Sequence, residues 1–483
     1  MSELKNLALG SVDEKSALFE SVADKIWDNP ELSLKEFGAA KLYCDTLRAE
    51  GFEVEENICG IKTAFSGKFG SGKPVIGILG EFDALSGLSQ EAGAVQCRPL
   101  EKGGAGHGCG HNLLGAGALA AAAAIREYLA QKGEGSGTVI FYGCPGEEGG
   151  AGKAFMAREG MFKALDAALT WHPSDVNEVV TGSCLASYQV EYRFHGVAAH
   201  AAGSPHLGRS ALDAVELMNV GAQFLREHIP PHNGLHYAIT DAGGQSPNVV
   251  QPSAQVLYML RSDNVPNILK LAARVDDLAK GAALMTGTTF TRRFIDGTAD
   301  VLPNAALERL AYANFAAAAL PEYTPDELAY AQAISGTCVR DGVAGFASGY
   351  DAQIADFARA ASDDGKKAIN DFLMPLWHSN MIEPGSTDVG DVSRQTPTVQ
   401  LHTAVWPAWT PGHSWQAVSA GKSGIAHKGM LLAAEVLAET AWDLYENPAL
   451  LDEARAEFRK ENRGGYVCAI PDGVVPVIAG EEI

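Results

Sequence analysis

Basic residues are scarce in this chain. Its 37 Lys and Arg face 59 Asp and Glu, a formal net charge of −22 over 483 residues. Such a field excludes nucleic acid and anionic membrane as natural partners. It also opposes an anionic substrate unless local Arg, Asn or metal ions offset it. Cysteine is sparse and scattered. The eight residues form no C-x-x-C pair, which reads as reduced thiols of a cytoplasmic protein and not as a disulfide framework. Met1 to Lys15 lacks an apolar core, so no secretory signal is expected. No apolar run reads as membrane-spanning, since Leu113 to Ile125 is too short and too rich in Ala and Gly. Internal repeats and low-complexity tracts are missing too. What remains is an apolar fraction of 46% and a charged fraction of 20%, as in soluble globular proteins. The chain is too long for one small core, so two domains, or one large domain with an insertion, are expected.

The chain is organised around Gly106-His107-Gly108-Cys109-Gly110-His111-Asn112. Cys and His two residues apart, at the mouth of an Ala/Leu-rich helix over 113–131, can face one point in space. Both are metal ligands by type, and the flanking glycines permit a tight cup. Alone the pair is equally a glycine-rich turn with a buried thiol. Three apolar strands strengthen the metal reading. The run 73–80 leads into Glu81-Phe82-Asp83, the run 137–142 into Glu147-Glu148, and the run 166–171 into His172-Pro173. Ligands at successive strand ends converge on one edge of a parallel sheet. Adjacent carboxylates such as Glu147 and Glu148 can divide the work, one on a metal and one as proton acceptor. The alternative is a solvated acidic turn. Gly149 to Ala154 only mimics a phosphate loop, because no glycine lies at the required spacing before Gly152-Lys153 and Ala154 stands where Ser or Thr should be. His107 reads as a turn histidine, and His413 in Pro-Gly-His-Ser has the weakest local case.

Helices are expected at 12–28, capped by Ser11 to Glu14, and at 36–49. Strands are expected at 52–54 and 63–65. From about 184 the texture changes. Alternating strands at 186–194, 235–240, 253–262 and 288–295, with helices at 210–227 and 268–285, give strand, helix, strand, strand, helix, strand, a ferredoxin-like α+β layout. Further helices are expected at 305–319, 325–336, 352–372 and 420–445, with a strand at 398–404. The division is therefore 1–183, an insertion at 184–298, and 299–483.

Together these motifs resemble the two-metal amidohydrolase and aminoacylase family of metallopeptidases, which includes hippurate and auxin-conjugate hydrolases. The order that carries it is Asp83-Ala84-Leu85, His107 to His111, Glu147-Glu148, Trp171-His172-Pro173, Gly196 to Gly203 and His413. Cys109 to Gly115 and Ser246 to Val250 are most similar to the p-aminobenzoyl-glutamate hydrolase branch of that family.

The resemblance implies an α/β fold: a zinc-exopeptidase-like catalytic domain with a mostly parallel central sheet flanked by helices, and an inserted ferredoxin-like lid that also forms a homodimer. It implies two divalent ions per subunit, Zn²⁺ or Mn²⁺, on Cys109, His111, Glu148, His172 and His413. Glu147 is then the general base. His200 is a lid histidine serving the partner's oxyanion, and Asn248 and Arg261 contact a substrate carboxylate. The implied reaction is amide hydrolysis that releases glutamate or aspartate from an aryl or acyl group, as in p-aminobenzoyl-glutamate. Rival readings are a dipeptidase, a general N-acyl-amino-acid amidohydrolase, or an inactive partner of a homologous second subunit. The complete ligand set argues against the last. Two departures stand out. Asn112 replaces the family's usual Asp beside the ligands, which leaves Asp83 to orient His111, and Ser86 replaces a usual Pro.

Overall fold

The apolar run ending at Glu81 forms the strand Val75–Glu81, the middle of a seven-stranded sheet. A computed structural model describes residues 3–340 and 352–477, with side chains from residue 9 onward. Across the sheet the order is Glu53–Glu56, Phe65–Ser71, Gly137–Cys144, Val75–Glu81, Ala167–Ser174, Thr398–Ala404, Glu178–Val179. The four strands from Gly137–Cys144 to Thr398–Ala404 are parallel, and the outer pairings are antiparallel. Parallel strands covered on both faces must be apolar throughout. Ile76, Ile78, Val139, Phe141, Leu169 and Leu401 are accordingly sealed from solvent.

The helix His111–Lys132 lies along this sheet. It is long and apolar enough to cross a bilayer by length and composition, but it is enclosed by Glu3–Glu14, Ser16–Asp28 and Gly424–Glu446. Its small residues let it approach the strands closely. A Cβ on Gly115 would collide with Tyr43 Oη and sit 2.7 Å from the carbonyl oxygen of Glu81. Gly115 therefore sets the spacing between this helix and the strand end that carries Glu81. A Gly115→Ala variant should lose about 1–3 kcal/mol by overpacking, read as a shifted midpoint in urea unfolding. An unchanged midpoint would refute the close approach.

The four-stranded sheet runs Thr289–Thr298, Ala186–His195, Ser253–Ser262, Gly234–Asp241, antiparallel throughout. Helices Ala211–Arg226 and Val265–Thr286 pack on one face. In chain order the strands lie 4-1-3-2, the ferredoxin-like arrangement. Tyr188, Val190, Tyr192 and Phe194 turn inward with the two-residue period of a half-buried strand.

Several expected boundaries move. Ser11 to Glu14 do not cap a helix. They lie within Glu3–Glu14, and the break falls at Lys15, whose amide bonds back to Ser11 O at 3.2 Å. The stretch 352–372 is helical only over Ala352–Ala361. Asp363 and Asp364 then take left-handed backbone angles that end it. The helix expected at 420–445 runs over Gly424–Glu446, capped by Ser423, with the short helix Trp415–Ala420 before it and Pro448–Glu461 after it.

Candidate metal centre

The site forms where three parallel strands end beside the first turn of His111–Lys132. Asp83 ties these pieces together. Its carboxylate is 1% exposed. It accepts from Ser33 Oγ at 2.7 Å and from the Glu148 amide at 2.9 Å, and it pairs with His111 Nδ1 at 2.9 Å. Burial works against its charge, but the His111 and Ser33 bonds outweigh that and hold its pKa at about 2. Burial works against a charge on His111, but Cys109 and Asp83 outweigh it and raise its pKa well above the usual imidazole range; with Nδ1 held by Asp83, Nε2 is the nitrogen from which an ion would displace the proton. His172 is set the same way, its Nδ1 bonding Pro173 O at 2.8 Å. Burial, and then His111, push His172 down to about 4, so it is neutral.

The Nε2 atoms of His111 and His172 meet a thiol. Cys109 Sγ lies 3.4 Å from His172 Nε2, and donor atoms of Cys109, His111 and His172 all fall within 4.8 Å of one another. Cys109, Glu148 and His413 form a second such trio that shares Cys109. His413 Nε2 is 3.3 Å from Glu148 Oε1. His413 has φ of +57°, a strained angle for a non-glycine residue, held by its amide bond to Gly108 O at 2.8 Å. The structure thus gathers the five expected ligands into two trios. His111 Nε2 and Glu148 Oε1 are buried without a well-formed hydrogen bond. Such atoms at the mouth of a sulfur, nitrogen and oxygen donor set fit divalent ions.

Glu147 lines the same 170 Å³ cavity, with Glu81, Thr170, Trp171, Ser386, Thr387 and Gln400. Burial, then Glu81, Asp388 and Glu148, raise its pKa well above the carboxylate range. Its loop is shaped from below. The buried Glu36 accepts from the Gly146 amide at 2.9 Å, the Leu34 amide at 2.8 Å and Thr63 Oγ1 at 2.9 Å.

Other expected residues lie elsewhere. Asn112 is not beside the ligands. Its amide nitrogen turns away to Gly421 O at 3.1 Å and Ala23 O at 3.4 Å, because the helix puts its neighbour His111 on the metal face. His107 bonds Ile26 O at 3.2 Å. His200 and Asn248 are exposed neighbours on the lid, joined by the Ala201 amide to Asn248 O at 2.9 Å, and neither lines this chain's cavity. Arg261 reaches its rim, Nη1 donating to Ser386 Oγ at 2.6 Å. Glu81, Lys153 and Asp388 also lie here and were not among the expected site residues. Glu81 had a signal, since it ends the apolar strand Val75–Glu81 two residues before Asp83.

A mixed α/β sheet with a ferredoxin-like insertion and a thiolate, imidazole and carboxylate cluster at its strand ends defines a metallopeptidase-type amidohydrolase. Residues 77–289 match the model of peptidase family M20/M25/M40. The chain is 44% identical to the B-type subunit of p-aminobenzoyl-glutamate hydrolase from Escherichia coli, over 99% of both chains. It is 27% identical to the Xaa-Arg dipeptidase of Mus musculus, over 94% of this chain and 92% of that one. The fold is shared with a Bacillus subtilis protein described as a dinuclear metal-binding peptidase of the M20 family, at a TM-score of 0.53 and 16% identity, covering 90% of this chain and 99% of that one. The chain belongs to peptidase family M20/M25/M40 and is a metal-dependent hydrolase of amide bonds.

Replacing Asp83 by Asn should cost about 10–100-fold in metal affinity, the usual effect of losing such a supporting carboxylate. Titration of the stripped protein with Zn²⁺ reads this. Unchanged affinity would remove Asp83 from its role.

Proposed function

We propose that this chain cleaves an aryl- or acyl-amino acid of the p-aminobenzoyl-glutamate type, releasing the acidic amino acid. The observation that carries the reading is the Cys109-centred pair of donor trios with Glu147 beside them. Cys109, His111, Glu148, His172 and His413 would hold two divalent ions. Thiolate and imidazole suit Zn²⁺, and the carboxylate also admits Mn²⁺. When bound, the ions supply Lewis acidity and lower the pKa of a water towards ~7. Glu147, beside the donor trios, takes the proton of the attacking water as a carboxylate and delivers it to the leaving amine. Glu147→Gln should retain both ions yet lose about 10²–10⁴-fold in kcat. Full activity in that variant would sink the mechanism.

The substrate carboxylate is given to Arg261, which already reaches Ser386 at the cavity rim. Arg261→Ala should raise KM for p-aminobenzoyl-glutamate and leave kcat nearly unchanged. Space for the acyl group adjoins the cluster. A 220 Å³ cavity shares Ser386, Thr387, Val389 and Gln400 with it, and a 360 Å³ cavity beyond His402 is lined by Val176, Val179, Trp377 and Met381. Glu178 and Glu383 also line the latter, which favours a second reading, a dipeptidase with a basic residue in this pocket. A panel of p-aminobenzoyl-glutamate, hippurate and arginine dipeptides separates the two.

A homodimer fits the lid surface. Leu217, Val220 and Phe224 stand exposed along one side of Ala211–Arg226, Phe224 at 72%. The edge strand Gly234–Asp241 exposes Tyr237 and Ile239. His200 would then serve the partner's site. Its Nδ1 accepts from the Gly203 amide at 3.0 Å, which orients the ring so that Nε2 is its donor nitrogen. Pairing with a homologous second subunit instead would use the same surface. Phe224→Glu should yield a monomer by light scattering, with activity reduced in parallel. A fully active monomer would refute service in trans.

A further inference from the structure

Lys153 is sealed completely from solvent, one turn behind the proposed metal centre. Its neighbours Ala154, Phe155, Met156 and Ala157 are buried with it. Its Nζ lies 2.7 Å from Glu81 Oε1 and also meets Asp388 Oδ1. Its amide donates to Asp388 Oδ2 at 2.8 Å. Glu81 and Asp388 are themselves 2% and 0% exposed. One cation therefore faces two carboxylates in a space that water does not reach. Such a cation is costly to bury and is held only where its charge is needed.

The other oxygen of Glu81 shows what it is needed for. Glu81 Oε2 lies 3.3 Å from His111 Nε2, the nitrogen proposed to hold an ion, and is buried without a well-formed hydrogen bond. Donor atoms of Glu81, His111 and Glu147 fall within 4.8 Å of one another. By position Glu81 could serve as one more ligand. That would add a hard oxygen and a negative charge to the ion beside the general base, and would compete with Glu147 for its place. Resting on the two-metal reading, we propose that Lys153 is a positioning residue of the metal centre: it holds Glu81 by one oxygen and so keeps it out of the donor set. Asp388 anchors the lysine from the opposite side. Because Asp388 follows Ser386 and Thr387, the same lysine also fixes the loop that lines the cavity and receives Arg261.

The test uses the full chain stripped of metal and titrated calorimetrically with Mn²⁺, with circular dichroism to check folding. Lys153→Met frees Glu81 and should tighten one Mn²⁺ site by about tenfold or more, since ligand charge and number set such affinities. Lys153→Arg keeps the charge and should stay within about threefold of the parent. Glu81→Gln should still bind two ions. The double variant, in which no spare carboxylate remains, should return to within about threefold of the parent. A purely structural lysine would weaken both sites on removal, and one acting by its charge alone would tighten both; either result overturns the proposal, because a released Glu81 tightens only the site beside His111. The proposal falls if folded Lys153→Met binds Mn²⁺ equally or more weakly, or if Glu81→Gln loses an ion. Should Lys153→Met not fold, the Glu81→Gln stoichiometry decides: two ions uphold it and one overturns it. A parent chain that binds no ion at all overturns the metal centre itself and this inference with it, a result visible before any variant is made.

Discussion

An ionised carboxylate shut away from water must be satisfied by protein donors on every side. Asp83 meets that condition with a histidine ring, a serine hydroxyl and a backbone amide, each from a different part of the chain. Ser33 precedes the helix Phe37–Ala49, His111 opens the central helix, and Glu148 follows the strand Gly137–Cys144. Removing one partner of a buried charged pair typically costs about 3–5 kcal/mol. The three pieces are therefore held in one register by a single group. That register aims Nε2 of His111 and places Glu148 opposite His413. The geometry of the ligands follows from how Asp83 is solvated.

The fold serves this constraint by bringing helix and sheet unusually near each other. A run of Ala and Gly along His111–Lys132 gives the helix a slim face, and Gly115 rests against the carbonyl of Glu81. Larger residues would lift the helix N-terminus, and Cys109 and His111 with it, away from the strand ends. Charge is arranged with similar economy. Five carboxylates crowd this edge, Glu81, Asp83, Glu147, Glu148 and Asp388, while Lys153 is the buried lysine set among them. An excess of negative charge around a thiol and three histidines suits divalent cations, and after burial it is what raises the proton affinity of Glu147.

Much of this was legible beforehand, for identifiable reasons. Asp83, Glu147-Glu148 and His172 each follow a continuous apolar run, and parallel strands deliver their ends to one edge. Alternation over 186–194 and 253–262 marked the half-buried lid strands. His413 carried no such signal, because its position depends on a left-handed backbone angle and a bond to Gly108 far away in sequence. Lys153 was hidden by its surroundings. A lysine among Ala, Phe and Met looks like a solvated helix face until the partners that bury it are known. Asn112 was placed by its neighbour's role, but on a helix adjacent residues point about 100° apart. The loop that carries Trp377, Met381 and Ser386 has almost no regular structure, so neither period could reveal it.

The proposed centre sets Cys109 between two ions. Anomalous diffraction from crystals of the Zn²⁺- or Mn²⁺-loaded protein, measured on both sides of the metal's absorption edge, addresses it directly. Two peaks flanking the Cys109 sulfur are expected, one beside His111 and His172 and the other beside Glu148 and His413. A single peak, or peaks away from Cys109, would contradict it.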